Sequence, residues 1–321
     1  MIIVTGGSGF LGKFVLRKLV DEGYETVNLI NKTSSKIKGV KEIKTDNISF
    51  DFLKQIIAGA DTIIHMAAAL GWTKADYDYY YKINTLFPEN MVKAAISSGI
   101  KNFIYISSAG VYGKGTKQGV IDENFPPTPE DNYEKTKYEG EKAVLKFKDK
   151  INIKIIRPGW IYGPEDKRTL KLFRTINKGY FFIAGKGDGK QTPVFVEDIA
   201  EGIILLMKSK NIPSGEIFNM SSDEILTIEE MVKTIAKTLN KKILPFKIPL
   251  LPLKLLAKSL DAISKPLGIT LPLTSSSLAF FERSKPLSIE KAKKLFNYSP
   301  KIKFKEGMKI TIAWYKKQGL L

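Results

Sequence analysis

No cysteine occurs among the 321 residues, which excludes disulfides and thiolate chemistry. Histidine is nearly as scarce. His65 is the only one, and no carboxylates gather at ligand spacing, so no metal site is expected. No apolar run reaches the length of a spanning helix, and the greasiest stretch, residues 243–273, is interrupted by prolines and lysines. The start Met1-Ile2-Ile3-Val4 lacks the basic flank and the length of a secretory leader, so a cytoplasmic location is expected. Acids are outnumbered, 33 Asp and Glu against 51 Lys and Arg, leaving a net charge of +18. A lysine-rich solvated surface accounts for that, with an anionic substrate or an acidic lipid as sharper alternatives. Helix-turn-helix, zinc-finger and RNA-binding signatures are missing, so nucleic acid is not an expected partner.

What remains is ordinary globular material, 43% apolar and 26% charged. Short β-rich runs at 2–5, 26–30, 62–66, 103–107 and 153–157 alternate with helical stretches, which predicts a doubly wound parallel sheet with helices on both faces. Phe10, Leu11, Phe14 and Leu16 supply the apolar stripe of the first helix, and Gly23 stands where a helix terminates. Thr128-Pro129-Glu130-Asp131 reads as a helix start, with Thr128 capping and residues 133–148 helical. His65 closes a buried strand, where packing is its expected part. Beyond residue 160 the pattern becomes mixed. Thr227-Ile228-Glu229-Glu230 resembles a capping box, and residues 289–296 and 306–316 read as late helices. The expected division is a dinucleotide-binding domain over 1–160, its sheet completed by later segments, and a smaller mixed substrate lobe over 161–321.

Thr5-Gly6-Gly7-Ser8-Gly9-Phe10-Leu11-Gly12 joins the first strand to the first helix. Glycines permit a tight turn and close backbone approach, and the free N–H groups of a helix start favour a pyrophosphate. This spacing, Gly6, Gly9 and Gly12, resembles the fingerprint of extended short-chain dehydrogenases/reductases. That group includes the NAD-dependent epimerase/dehydratases and the 3β-hydroxysteroid dehydrogenase and dihydroflavonol reductase branches. The resemblance implies a Rossmann fold and extends along nearly the whole chain. Asp46-Asn47 is similar to the adenine-contacting pair, Ala67-Ala68 to the loop beside the cofactor ribose, and Asn84 to the structural asparagine of the central helix. Ser107-Ser108-Ala109-Gly110-Val111-Tyr112-Gly113 resembles the serine loop. Arg157-Pro158-Gly159-Trp160 and Val196-Glu197-Asp198 resemble later motifs.

Tyr133 and Lys137 lie four residues apart, which on a helix puts both on one face. A nearby ammonium favours the ionised phenol, and Tyr133 can then exchange a proton with an alcohol or ketone oxygen. The resemblance implies that Lys137 also bonds the nicotinamide ribose and that Ser108, rather than Ser107, holds the substrate oxygen. Ser108, Tyr133 and Lys137 are therefore the expected catalytic residues. Gly6, Gly9, Phe10, Leu11, Gly12, Asn31, Lys32, Asp46, Asn47, Ala67, Ala68, Asn84 and Pro158, with Tyr133 and Lys137, are the expected cofactor contacts.

Three departures bear on cofactor and substrate. The second strand ends Ile30-Asn31-Lys32 with no acid for the ribose hydroxyls, which favours NADP over NAD. Trp160 stands where many sugar-nucleotide enzymes of the family carry Asn, and Gln191 where they often carry Arg. Both are expected substrate contacts. Leu271-Pro272-Leu273-Thr274 and Ser288-Ile289-Glu290-Lys291-Ala292 resemble the hydroxysteroid and flavonol-reductase branches. The expectation is an oxidoreductase acting on a secondary alcohol or ketone of a less polar small molecule. A nucleotide-sugar epimerase/dehydratase is the alternative, with a non-catalytic dinucleotide sensor behind it. A peripheral membrane contact through 243–273 is weighed against packing at the substrate cleft, which is preferred, and a homodimer is left open.

Overall fold

The computed structural model describes residues 1–71, 73, 75–264 and 274–321. Its centre is a seven-stranded sheet with every neighbouring pair parallel. The strands are β1 (Ile2–Thr5), β2 (Thr26–Ile30), β3 (Val40–Lys44), β4 (Thr62–His65), β5 (Asn102–Ile106), β6 (Asn152–Pro158) and β7 (Glu216–Met220). They lie in the order β7-β6-β5-β4-β1-β2-β3. The chain runs outward from β1 to β3 on one side and from β4 to β7 on the other. The order therefore reverses between β1 and β4, and a crevice opens beyond the carboxyl ends of those two strands. The last strand comes from beyond residue 160 and pairs with β6, Ile217 opposite Ile155.

β1, all buried Ile-Ile-Val-Thr, shows why the centre of such a sheet is β-branched: both faces are covered. β3 is the opposite case. It forms the sheet's edge with Lys41 and Lys44 exposed, and this polar pattern hid it from periodicity.

One face of the sheet is covered by α1 (Phe10–Asp21), α7 (Val196–Lys208) and α11 (Glu290–Phe296), whose Leu16, Ile203 and Phe296 join Val4 and Ile156 in one core. The other face is covered by α2 (Phe50–Ile56), α4 (Phe87–Ser97) and α5 (Asn132–Leu145), through Leu53, Met91 and Val144. α3 (Tyr77–Tyr81) leads into α4 through a wide π-helical turn, Lys82–Leu86. A separate core beyond residue 160 joins α6 (Leu170–Asn177), α8 (Ile228–Thr238) and α12 (Phe304–Lys317). α9 (Leu250–Ser264) and α10 (Ser275–Glu282) pack together beside it. The tail motif at 271–273 lies outside the described residues.

Local signals explain the helix ends. Gly23 takes φ 78°, and Tyr24 N–H reaches back to the Leu19 carbonyl at 3.0 Å, a Schellman closure of α1. Thr227 and Glu230 form the reciprocal capping box of α8. Thr128, however, does not cap α5. Its hydroxyl donates to the Tyr112 carbonyl at 3.1 Å, and Asp131 caps instead, accepting from Glu134 N–H at 2.8 Å. A carboxylate three residues nearer the helix outcompetes the hydroxyl for the same orphan donors.

Candidate functional site

The glycine loop fills the β1 side of the crevice. Gly6 takes φ 72°, and a Cβ there would lie 2.7 Å from the Ala67 nitrogen, so only glycine fits against the loop after β4. A Cβ on Gly12 would lie 2.2 Å from the Gly6 carbonyl oxygen, so glycine lets α1 seat on its own loop. α1 starts at Gly9 with no side-chain cap and no acid in its first turn. Its orphan N–H groups and positive end therefore stand open to an anion, a donor set that fits a dinucleotide pyrophosphate.

Thr5 braces this loop. Its hydroxyl accepts from Met66 N–H at 3.2 Å and Ala67 N–H at 3.1 Å, and it bonds His65 Nδ1 at 3.1 Å. His65 is fully buried among Phe87, Phe103 and Tyr105, as its strand position implied. Burial first, and then the Lys137 charge, push its imidazole down to about 3, so it is neutral.

Outside the loop, Ser8 donates to the Thr33 carbonyl at 2.5 Å, drawing the end of β2 beside the glycines. Asn31 and Lys32 are exposed there. Thr45 N–H bonds the Ile30 carbonyl at 2.6 Å, which brings the exposed Asp46 and Asn47 to the same rim. Asn47 also accepts from Ser49 N–H at 2.8 Å, ahead of α2.

On the other side of the crevice, α5 carries Tyr133 and Lys137. Lys137 is buried, donating to the Ile106 carbonyl at 2.7 Å and lying 4.1 Å from the Tyr105 ring centroid. Burial lowers it to about 7, against the opposing charge of Glu141 one turn further on. Burial likewise raises the Tyr133 phenol. The groups that favour its ionised form are the Ser108 hydroxyl, which bonds it, and the Arg168 guanidinium. Ser108 caps the short 3-10 turn Ala109–Tyr112, accepting from Gly110 N–H at 2.9 Å, whereas Ser107 is buried with its hydroxyl unpartnered. A cavity of about 380 Å³ opens beside Tyr133, lined by Gly71, Thr73, Tyr80 and Asp131 among others.

The serine loop and α5 are locked by a buried ion pair that sequence reasoning left without a role. Arg157 reaches Glu141 through two bonds, 2.9 and 2.6 Å, donates to the Tyr112 hydroxyl at 3.0 Å and lies over its ring. Tyr112 in turn donates to Asn219 of β7 at 2.8 Å. Asn84 serves the same end from the π turn. Fully buried, it exchanges bonds with the backbone of Ala69 (2.8 and 3.1 Å) and donates to the Thr136 hydroxyl at 3.1 Å. Its place is thus between the loop after β4 and α5, as a scaffold. Pro158 is buried at the end of β6.

Residues beyond 160 supply further contacts near α5. Trp160 meets Tyr162, Phe280 and Phe304 at ring distances of 6.0, 6.2 and 6.4 Å. Gln191 is nearly buried, its amide nitrogen engaged with the Arg283 carbonyl at 3.0 Å. Arg283 and Lys285 were not foreseen. Arg283 pairs with Glu134 at 2.9 Å and Asp131 at 3.6 Å, on either side of Tyr133 in sequence. Lys285 is buried and donates to the Ala109 carbonyl at 3.4 Å, and burial lowers it to about 8. Their only sequence signal is two cations just upstream of Ser288-Ile289-Glu290-Lys291-Ala292. Among the described residues no three histidine, aspartate or glutamate side chains gather to hold a metal ion.

Residues 2–221 match the model of the NAD dependent epimerase/dehydratase family. The chain belongs to that family. It is 29% identical over 254 residues to the N-acetyl-alpha-D-glucosaminyl-diphospho-ditrans,octacis-undecaprenol 4-epimerase of Escherichia coli O157:H7, covering 77% of this chain and 75% of that protein. To the sterol-4-alpha-carboxylate 3-dehydrogenase, decarboxylating, of Mus musculus it is 28% identical over 324 residues, 96% of this chain and 89% of that one. UDP-glucuronic acid 4-epimerase from Bacillus cereus, solved in complex with NAD, shares the fold over 99% of both chains, with a TM-score of 0.77 and 22% identity. The relatives of this chain thus include sterol dehydrogenases and sugar epimerases, and it is an NAD-dependent enzyme of that kind.

Proposed function

We propose that this enzyme moves hydride at a secondary alcohol or ketone carbon through Ser108, Tyr133 and Lys137, on a substrate less polar than a nucleotide sugar. A bound nicotinamide would supply the two-electron chemistry, accepting or donating hydride at the carbon that bears the oxygen. Ser108 holds that oxygen against the phenol. Tyr133 takes the hydroxyl proton when the alcohol is oxidised and returns it when the ketone is reduced. Lys137, on the same face of α5, would bond the nicotinamide ribose. Gly9, Phe10 and Leu11 would hold the pyrophosphate through their backbone, Ala67, Ala68 and Pro158 the ribose and nicotinamide, and Asp46 and Asn47 the adenine. Lys32 and Asn31, exposed beside the glycines with no acid at the strand end, favour NADP over NAD.

The observation that carries the substrate class is the wall around Trp160. An indole packed on Phe280 and Phe304 suits a ring system or alkyl body. Gln191, engaged with the Arg283 carbonyl, supplies no charge for a diphosphate. A second reading, epimerisation of a diphosphate-linked sugar, draws on Arg168, Arg283 and Lys285, which gather around Tyr133 and the serine loop. A paired panel separates the two. Alicyclic ketones are followed by NADPH and NADH absorbance, and nucleotide sugars by inversion at the sugar carbon. Ketone turnover preferring NADPH, with that preference lost in Lys32→Ala, is expected. Efficient inversion without ketone turnover makes the second reading correct.

A further inference from the structure

α9 carries a face that no other described residue covers. Leu253 and Ala257 point inward, packing with Ala184 and Leu278. On the opposite side Leu251, Leu255, Leu256 and Ile263 are 71, 62, 50 and 62% exposed. Pro252, Ser259 and Ala262 are exposed with them. At 100° per residue these seven positions occupy one arc of about 140°, and no charged residue falls inside it. Phe246, 53% exposed, precedes the helix. Lys258 lies at the edge of the arc, and Lys241 and Lys242 are exposed in the segment leading to it.

We infer that this face of α9 lies on an anionic lipid bilayer. An uncharged apolar arc bordered by lysines is the arrangement that enters the headgroup boundary of an acidic membrane. The helix, Leu250–Ser264, rests in the plane of the surface, since no helix among the described residues is long and apolar enough to cross it. A net charge of +18 opposes pairing of two copies and favours an acidic surface. Docking also has a bearing on access to the site. α9 packs on α10, whose Phe280 touches Trp160, and the chain runs on into Arg283 beside Tyr133. A bound membrane would therefore stand near the substrate lobe. The inference goes beyond the reaction proposed above and is read by binding rather than turnover, so either can fail alone.

The test is co-sedimentation of the full chain with vesicles of mixed phosphatidylglycerol and phosphatidylcholine, and with phosphatidylcholine alone, at moderate salt. Binding to the anionic vesicles is expected, with little to the neutral ones. The double variant Leu255→Asp/Ile263→Asp should lose at least about tenfold in partitioning, since it places charge where leucine and isoleucine would be buried. Lys258→Ala should lose about fivefold. These side chains are exposed, so circular dichroism and sedimentation velocity should match the parent. Absence of binding, or undiminished binding by the aspartate variant, overturns the inference. So does a dimer that Leu255→Asp dissociates without lipid, because the face would then join two copies.

Discussion

The glycine-loop side of the crevice and the side proposed to take the substrate are built by different means. Gly6 to Gly12 do their work through backbone: missing Cβ atoms, a positive φ and N–H groups at a helix start, all within one short segment. The side proposed to take the substrate is assembled from side chains far apart in the chain, Trp160, Gln191, Phe280, Arg283 and Lys285, held by mutual contacts. A surface made of contiguous backbone tolerates little change and binds one kind of group. A surface made of scattered side chains can be rebuilt one residue at a time. That contrast agrees with a family whose relatives include a sterol dehydrogenase and a UDP-glucose epimerase.

Tyr133 stands where the two sides meet, and its removal should separate them most sharply. Tyr133→Phe is expected to lower turnover by about 10²–10⁴ while leaving cofactor affinity, measured by calorimetry, within about twofold. Near-parental turnover would take the phenol out of the mechanism.

The supporting structure beneath both sides can be broken next. Glu141→Gln leaves the Arg157 charge buried without its carboxylate, and unfolding free energy from urea titration should fall by about 3–5 kcal/mol. A change below about 1 kcal/mol would mean that Tyr112 alone satisfies Arg157.

His65 sharpens the comparison from the cofactor side. Its folded pKa, about 3, lies below the ordinary 6.5, so the unfolded chain takes up the proton first. The neutral imidazole's contribution is complete above pH 6.5 and is lost as pH falls toward 3. At pH 5 the loss amounts to about 2 kcal/mol, and His65→Phe should remove this part of the acid sensitivity. Identical pH–stability slopes for the parent and variant would show that His65 does not titrate in this way.

The same contrast explains what the sequence disclosed. The sheet centre was legible because Ile2-Ile3-Val4 and Ile63-Ile64 must be buried on both faces, and the glycine loop because a backbone requirement leaves glycine as its trace. Tyr133 and Lys137 were legible because one helix carries both. β3 escaped because an edge strand with Lys41 and Lys44 outward shows no alternation. Arg283 and Lys285 escaped because their partners, Glu134 and the Ala109 carbonyl, lie about 150 or more residues away, and no local period encodes such a meeting.

The wide turn at Lys82–Leu86 has a consequence for what can be cut or grafted. A π turn inserts one residue beyond ordinary helical winding, which rotates everything after it by about 100° relative to what precedes. On the early side Tyr80 reaches the carbonyls of Leu70 and Thr73, at 3.0 and 2.7 Å. On the late side Met91, Ala94 and Ala95 face the core. The turn acts as a gear between these two angular settings, with Asn84 as its tooth. A one-residue deletion there would shorten the chain by a single step yet turn one half of the helix away from its partners. For recombining this enzyme with its relatives, residues 82–86 are therefore a poor crossover point, and a splice belongs in a loop whose ends carry no rotational phase.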